Sequence, residues 1–113
     1  MAVWRRKLLD LFPNDKQVIE EETLYSLFWL MVKRVHEAHA NDNPAVLSKI
    51  YGFAMWCAEQ ESKSLWNPAG VSFYEHLFDC DKQYWGDIIA WLHPKIISNL
   101  SYGFISPVFR HLR

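Results

Sequence analysis

The sequence predicts an all-α domain of five to six helices packed as antiparallel hairpins. Three observations lead there. Apolar residues recur at i, i+3, i+4 and i+7 through most of the chain, the period of a helix with one buried face. Prolines follow directly on side chains suited to capping a helix, at Asn43-Pro44, Asn67-Pro68 and Ser106-Pro107, with His93-Pro94 a weaker case. No stretch alternates with period two for long enough to make a strand.

Taken in order, a short first helix is expected over Val3 to Leu11, ended by Pro13. Asn14 and Asp15 can cap a long second helix reaching about Ala40. Leu24, Leu27, Phe28, Met31 and Val35 form one stripe on it, and Tyr25, Trp29, Val32 and His36 a second beside it. Two adjacent stripes predict a central helix buried over most of its surface. The run Glu20, Glu21, Glu22 would fall in its first turns, where the helix dipole favours acids. A third helix is expected over Pro44 to Ser62, a fourth over Pro68 to Asp79, a fifth over Lys82 to Leu92 and a sixth from Pro94, with a last turn from Pro107 to Leu112. Gly52 and Gly70 fall inside or at the start of helices, where close approach of a neighbouring helix would account for them. Short connections and the alternation of helix pairs suit a HEAT-like stack of two hairpins.

The length, 113 residues, fits one domain, residues 1–113, with a basic N-terminal helix over 1–13 and a tail over 101–113. The longest uninterrupted apolar run, Leu27 to Val32, is far short of a membrane span, and no apolar leader follows the basic tip. Two cysteines, Cys57 and Cys80, do not make a disulfide framework, so a reduced cytoplasmic setting is expected. Net charge is −1, but residues 8–87 carry six basic against thirteen acidic side chains, a surplus of −7 suited to a basic partner. The cluster Trp4-Arg5-Arg6-Lys7 has the look of a backbone contact to nucleic acid, yet three charges against an acidic middle read better as a solvated helix face. Eighteen aromatic residues are the outlier in the composition. Most lie on core stripes; Trp4, Trp56 and Trp66 remain for contact with something else.

No constellation of candidate catalytic residues carries a motif. His39, His76, Cys57 and Cys80 could be imagined around zinc, but no CxxC or HExxH spacing is present. Glu75, His76 and Asp79 share a helical stretch and could do acid–base work if buried; on a polar helix face they are solvated. No phosphate-cradling glycine loop and no nucleophile elbow occurs. The expectation is therefore no catalytic residues, no metal and no cofactor.

Three stretches together, Ile50–Cys57 (IYGFAMWC), Asn67–Leu77 (NPAGVSFYEHL) and Trp91–Leu100 (WLHPKIISNL), resemble a family of small bacterial helical proteins, HEAT-like in architecture, some of which look like immunity proteins of toxin systems. The resemblance covers about Leu24 to Leu100 and leaves out the basic tip and the tail. It implies a non-enzymatic protein-binding domain that blocks a partner, with a basic toxin domain as the concrete case. The expected contact residues are Glu59, Glu61, Trp66, Glu75, Asp79 and Asp81, around the connection between the third and fourth helices. Nucleic acid and membrane are not expected as partners. Two alternatives stand beside this reading: a small metal-dependent or acid–base enzyme using His76, Glu75 and Asp79, and a self-associating domain with a homodimer face built on Trp4 and Trp56.

Overall fold

The computed structural model describes residues 2–100, and every regular element among them is helical. Seven α-helices follow one another: α1 (Val3–Leu11), α2 (Lys16–Ile19), α3 (Leu24–Ala40), α4 (Pro44–Ala58), α5 (Lys63–Pro68), α6 (Trp85–Trp91) and α7 (Pro94–Leu100). A wide π turn, Ala69–Phe73, and a tight 3-10 turn, Tyr74–His76, continue α5, and a second 3-10 turn, Lys82–Tyr84, leads into α6. No strand occurs among the described residues. The Ser106-Pro107 pair and the tail over 101–113 lie outside them.

α3 is the axis of the fold. The π turn, α4 and α5 all pack on it, and α1 packs on α4. Its first stripe behaves as the periodicity predicts: Leu24, Leu27, Phe28, Met31 and Val35 are all buried. At the centre, the Phe28 ring meets Phe53 of α4 at 5.7 Å and Phe73 of the π turn at 5.6 Å. One aromatic side chain from each of three elements thus fixes their mutual spacing.

The long second helix of the sequence reading is two helices. Asp15 does cap α2, its side chain accepting from Val18 N–H at 3.3 Å. The chain then leaves helical geometry before Thr23, whose hydroxyl accepts from Ser26 N–H at 3.1 Å and starts α3 afresh. The three glutamates therefore lie in and beside the connection, not in the first turns of one helix. Arg5 of α1 reaches across and donates to the carbonyls of Ile19, Glu21 and Glu22 at 3.4, 3.0 and 2.9 Å. A guanidinium offers several donors in a fixed fork, so one side chain satisfies carbonyls that a continuous helix would have paired internally.

The cap-and-proline pairs divide. Asn43 caps α4 through Val46 N–H at 3.4 Å, with Pro44 in the first turn. His93 accepts from Lys95 N–H at 3.0 Å at the start of α7. Asn67-Pro68 starts nothing: the helix already begins at Lys63, and Pro68 ends it. Proline lacks the N–H that would continue the i to i−4 ladder, and the chain widens into the π turn directly after it. α4 also stops at Ala58 and not at Ser62, and the fourth helix becomes α5 and its two turns.

Neither Gly52 nor Gly70 is there for close helix approach. A Cβ built at either position meets no atom within 4 Å. Gly52 lies exposed inside α4, where glycine costs about 0.5–1 kcal/mol against alanine. Gly52→Ala is accordingly expected to raise stability by about that amount, read as a higher urea midpoint at unchanged slope. No helix among the described residues is long and apolar enough to cross a membrane.

Candidate interaction surface

The second stripe of α3 does not go into the core. Val32 is buried and His36 half-buried, but Tyr25 is 45 % exposed and Trp29 is 56 % exposed. One turn apart on the same face, these two rings make an aromatic ridge. The chain after α5 holds it in place. Asn67 Nδ2 donates to the Tyr25 hydroxyl at 2.9 Å, which is what that side chain does in place of capping. The His76 imidazole lies against the Trp29 indole, ring centres 4.4 Å apart at 35°. His76 Nδ1 in turn donates to Asp79 Oδ2 at 2.8 Å. Next to these, His36 Nε2 donates to the Leu77 carbonyl at 2.9 Å and ties the Tyr74–His76 turn to α3. The ridge is thus an exposed aromatic pair whose rings are held by hydrogen bonds and stacking, with a carboxylate one imidazole away.

The structure brings together some of the contact residues expected from sequence. Asp79 belongs to the ridge and is exposed. Glu75 is half-buried beside His76, and Asp81 is exposed but partly used, its Oδ1 accepting from Gln83 N–H at 3.0 Å to cap the Lys82–Tyr84 turn. Trp66 is 41 % exposed, one residue before the Asn67 that holds Tyr25. Glu59 and Glu61 are exposed on the α4–α5 connection. Trp4 and Trp56 are half-buried and each lies under a cation, Arg5 at 4.5 Å and Lys7 at 5.7 Å, so both already have a partner within the chain. Tyr25 and Trp29 were missed. The signal was present: the row Glu22, Tyr25, Trp29, Lys33 is flanked by charge at both ends, which marks the edge of a buried face and not its middle.

A family model described as a domain of unknown function, DUF7674, matches residues 5–100. The chain belongs to this family. The match begins at Arg5 and so takes in α1 and the basic tip, beyond the Leu24–Leu100 span of the resemblance read from sequence. No curated protein and no solved structure matches the chain.

Elsewhere in this DUF7674 domain several titratable groups are buried or paired within the chain. His39 is buried, and its Nε2 shares a 2.8 Å hydrogen bond with the Tyr51 hydroxyl. Burial holds the imidazole below its usual range, partly opposed by the charge of Asp87, and pushes the Tyr51 phenol up. Cys57 is enclosed, its thiol pushed up to about 12 by burial, and Cys80, half-buried, is raised for the same reason. Thiols in such surroundings are poor nucleophiles and poor ligands. Among the described residues no three of His, Cys, Asp and Glu converge as a metal site would require, so His39, His76, Cys57 and Cys80 do not form the imagined set. A cleft of about 760 Å³ opens where the α1–α2 turn meets α3 and α4. Two of the three cations that line it are engaged: Arg34 pairs with Asp15 and donates to Gln17 Oε1 at 2.8 Å, and Lys49 lies over the Phe12 ring at 5.8 Å. The arginine partner holds the Asp15 carboxyl below the usual carboxylate range.

Proposed function

We propose that this domain is a non-enzymatic protein-binding module and that the Tyr25–Trp29 ridge is its contact face. In its concrete form the reading is an immunity or antitoxin-like protein that blocks a basic toxin domain by occupying its surface. One observation carries it: two large aromatic side chains stand in solvent, yet are held by Asn67 and His76 in fixed positions. Ordering an aromatic ring before binding removes part of the entropy cost of association, and exposed Trp and Tyr are the residues most often found at binding hot spots. Asp79, Glu75 and Asp81 nearby, and the acidic surplus of residues 8–87, suit a basic partner. The reading takes the helices as a HEAT-like scaffold displaying this face, a description supported by the packing of successive helices α3, α4 and α5 on one another.

Tagged wild-type chain and its Trp29→Ala variant, recovered from the cells that make the protein, test this. Wild type is expected to retain one protein in near-equimolar amount, and the variant to retain about tenfold less or lower still. That partner should inhibit growth when produced alone and lose the effect when co-produced with the wild-type chain. Absence of any near-equimolar partner overturns the protein-binding reading. A partner held equally by the variant overturns the ridge, and a harmless partner overturns the immunity form.

A further inference from the structure

We propose that the ridge takes an arginine side chain of its partner, with the guanidinium lying on the Trp29 indole and turned toward Asp79. The proposal rests on the protein-binding reading above and names the chemistry of the contact. Trp29 has His76 against one side of its ring and 56 % of its surface in solvent. An indole is the strongest of the aromatic platforms for a cation. A planar guanidinium stacks on it and still keeps donors free at its edge, which an ammonium does not. An acceptor for those donors stands one imidazole away from the indole. Asp79 is exposed, spends Oδ2 on His76 Nδ1, and has no hydrogen bond to its other oxygen among the described residues. Tyr25, one turn before Trp29 and fixed by Asn67, extends the apolar floor for the methylene stem. The charged neighbours in sequence of the residues that form this spot are Glu75, Asp79 and Asp81 in the chain after α5, and Lys33, one turn beyond Trp29 on α3, with Lys82 after Asp81. Lys82 is directed elsewhere, its Nζ over the Trp85 ring at 5.7 Å. Acids therefore outnumber uncommitted cations among these neighbours, which favours a cation on the open side of the indole, and stacking favours a flat one.

Blocked hexa-arginine and hexa-lysine peptides of equal charge, titrated at low ionic strength into the full chain, separate stacking from plain charge attraction. The readout is the indole N–H resonance of Trp29, assigned by its loss in Trp29→Leu, with peptide fluorescence anisotropy as the affinity measurement for every variant. Hexa-arginine is expected to bind roughly threefold or more tightly than hexa-lysine and to shift the Trp29 resonance. Trp29→Leu should bring the ratio close to one, and Asp79→Asn should weaken hexa-arginine more than hexa-lysine. Equal affinity of the two peptides for wild type, a preference that survives in Trp29→Leu, or no binding of either peptide overturns the proposal. A protein partner lost on Trp29→Ala while the peptides show no preference sinks the arginine contact and leaves the protein-binding reading standing. The opposite result, arginine preference with no near-equimolar protein partner, sinks that reading alone.

Discussion

Phe28→Ala is expected to cost about 3–5 kcal/mol of folding stability, the range for emptying a large aromatic site in a core. Phe28 has no exposed surface, and its ring touches Phe53 of α4 and Phe73 of the π turn at once. Neither of those elements can close over the void alone, because Phe53 is also stacked on Trp56 and Phe73 set edge-on to Tyr51 and Tyr74. Loss of dispersion contacts therefore adds to the lost transfer free energy. Against a total of about 5–15 kcal/mol for a small domain, the variant sits near its unfolding threshold at room temperature. Urea denaturation followed by helical circular dichroism reads the loss directly. Phe28→Leu, which keeps most of the volume, should lose much less. A Phe28→Ala chain within about 1 kcal/mol of wild type would mean that the three rings are not the hub of the fold. The neighbouring residue supplies the contrast: Trp29, about 100° further round the same helix, is expected to change stability by no more than about 1 kcal/mol when replaced by alanine.

That contrast shows how far the sequence could be read. The stripe from Leu24 to Val35 was legible because a helix repeats its buried face every three to four residues and α3 is long enough to show several repeats. The starts of α4 and α7 were legible because Asn43 and His93 act locally, on N–H groups two or three residues away. What could not be read depended on residues distant in the chain. Arg5 satisfies carbonyls at the break between α2 and α3, 14 to 17 residues away. Asn67 has the composition of a cap, but its side chain is taken by Tyr25, 42 residues earlier. Periodicity likewise counts aromatic rings as apolar and says nothing of where neighbouring elements end, so Tyr25 and Trp29 were assigned to the core. The acidic half of the candidate surface was found because charge is visible without a fold; the aromatic half appears only once α5 and its turns are seen to cover Tyr25 and Trp29 in part.

The second large effect expected is a loss of stability on mild acidification, centred on His39. Its imidazole is buried against Tyr51, whose ring stacks on Trp91 of α6 at 5.6 Å and 11°, so the pair lies between α3, α4 and α6. Burial lowers the folded-state pKa of His39 from its ordinary 6.5. The unfolded chain, with the ordinary value, then binds more protons than the folded one at every pH between the two values. Stability must rise with pH across that window. It is complete above about 6.5, declines as pH falls toward the depressed folded value, and declines no further from this group below it. Asp15, also lowered, contributes in the same direction but further down, because its ordinary value is 3.8. Urea midpoints taken between about pH 7 and 5 should therefore fall in wild type and stay nearly level in His39→Gln, which cannot titrate. Tyr51→Phe should lower stability at neutral pH by about 1–3 kcal/mol, since it leaves a buried ring nitrogen without its hydrogen bond. Equal pH slopes in wild type and His39→Gln would assign the acid sensitivity to other groups, and a neutral Tyr51→Phe would mean that water replaces the hydroxyl. Because Trp29 is exposed and lies ten residues, about 15 Å along α3, before the buried His39, the Trp29→Ala chain should keep the wild-type pH profile, which separates the acid response of the fold from that of the candidate contact face.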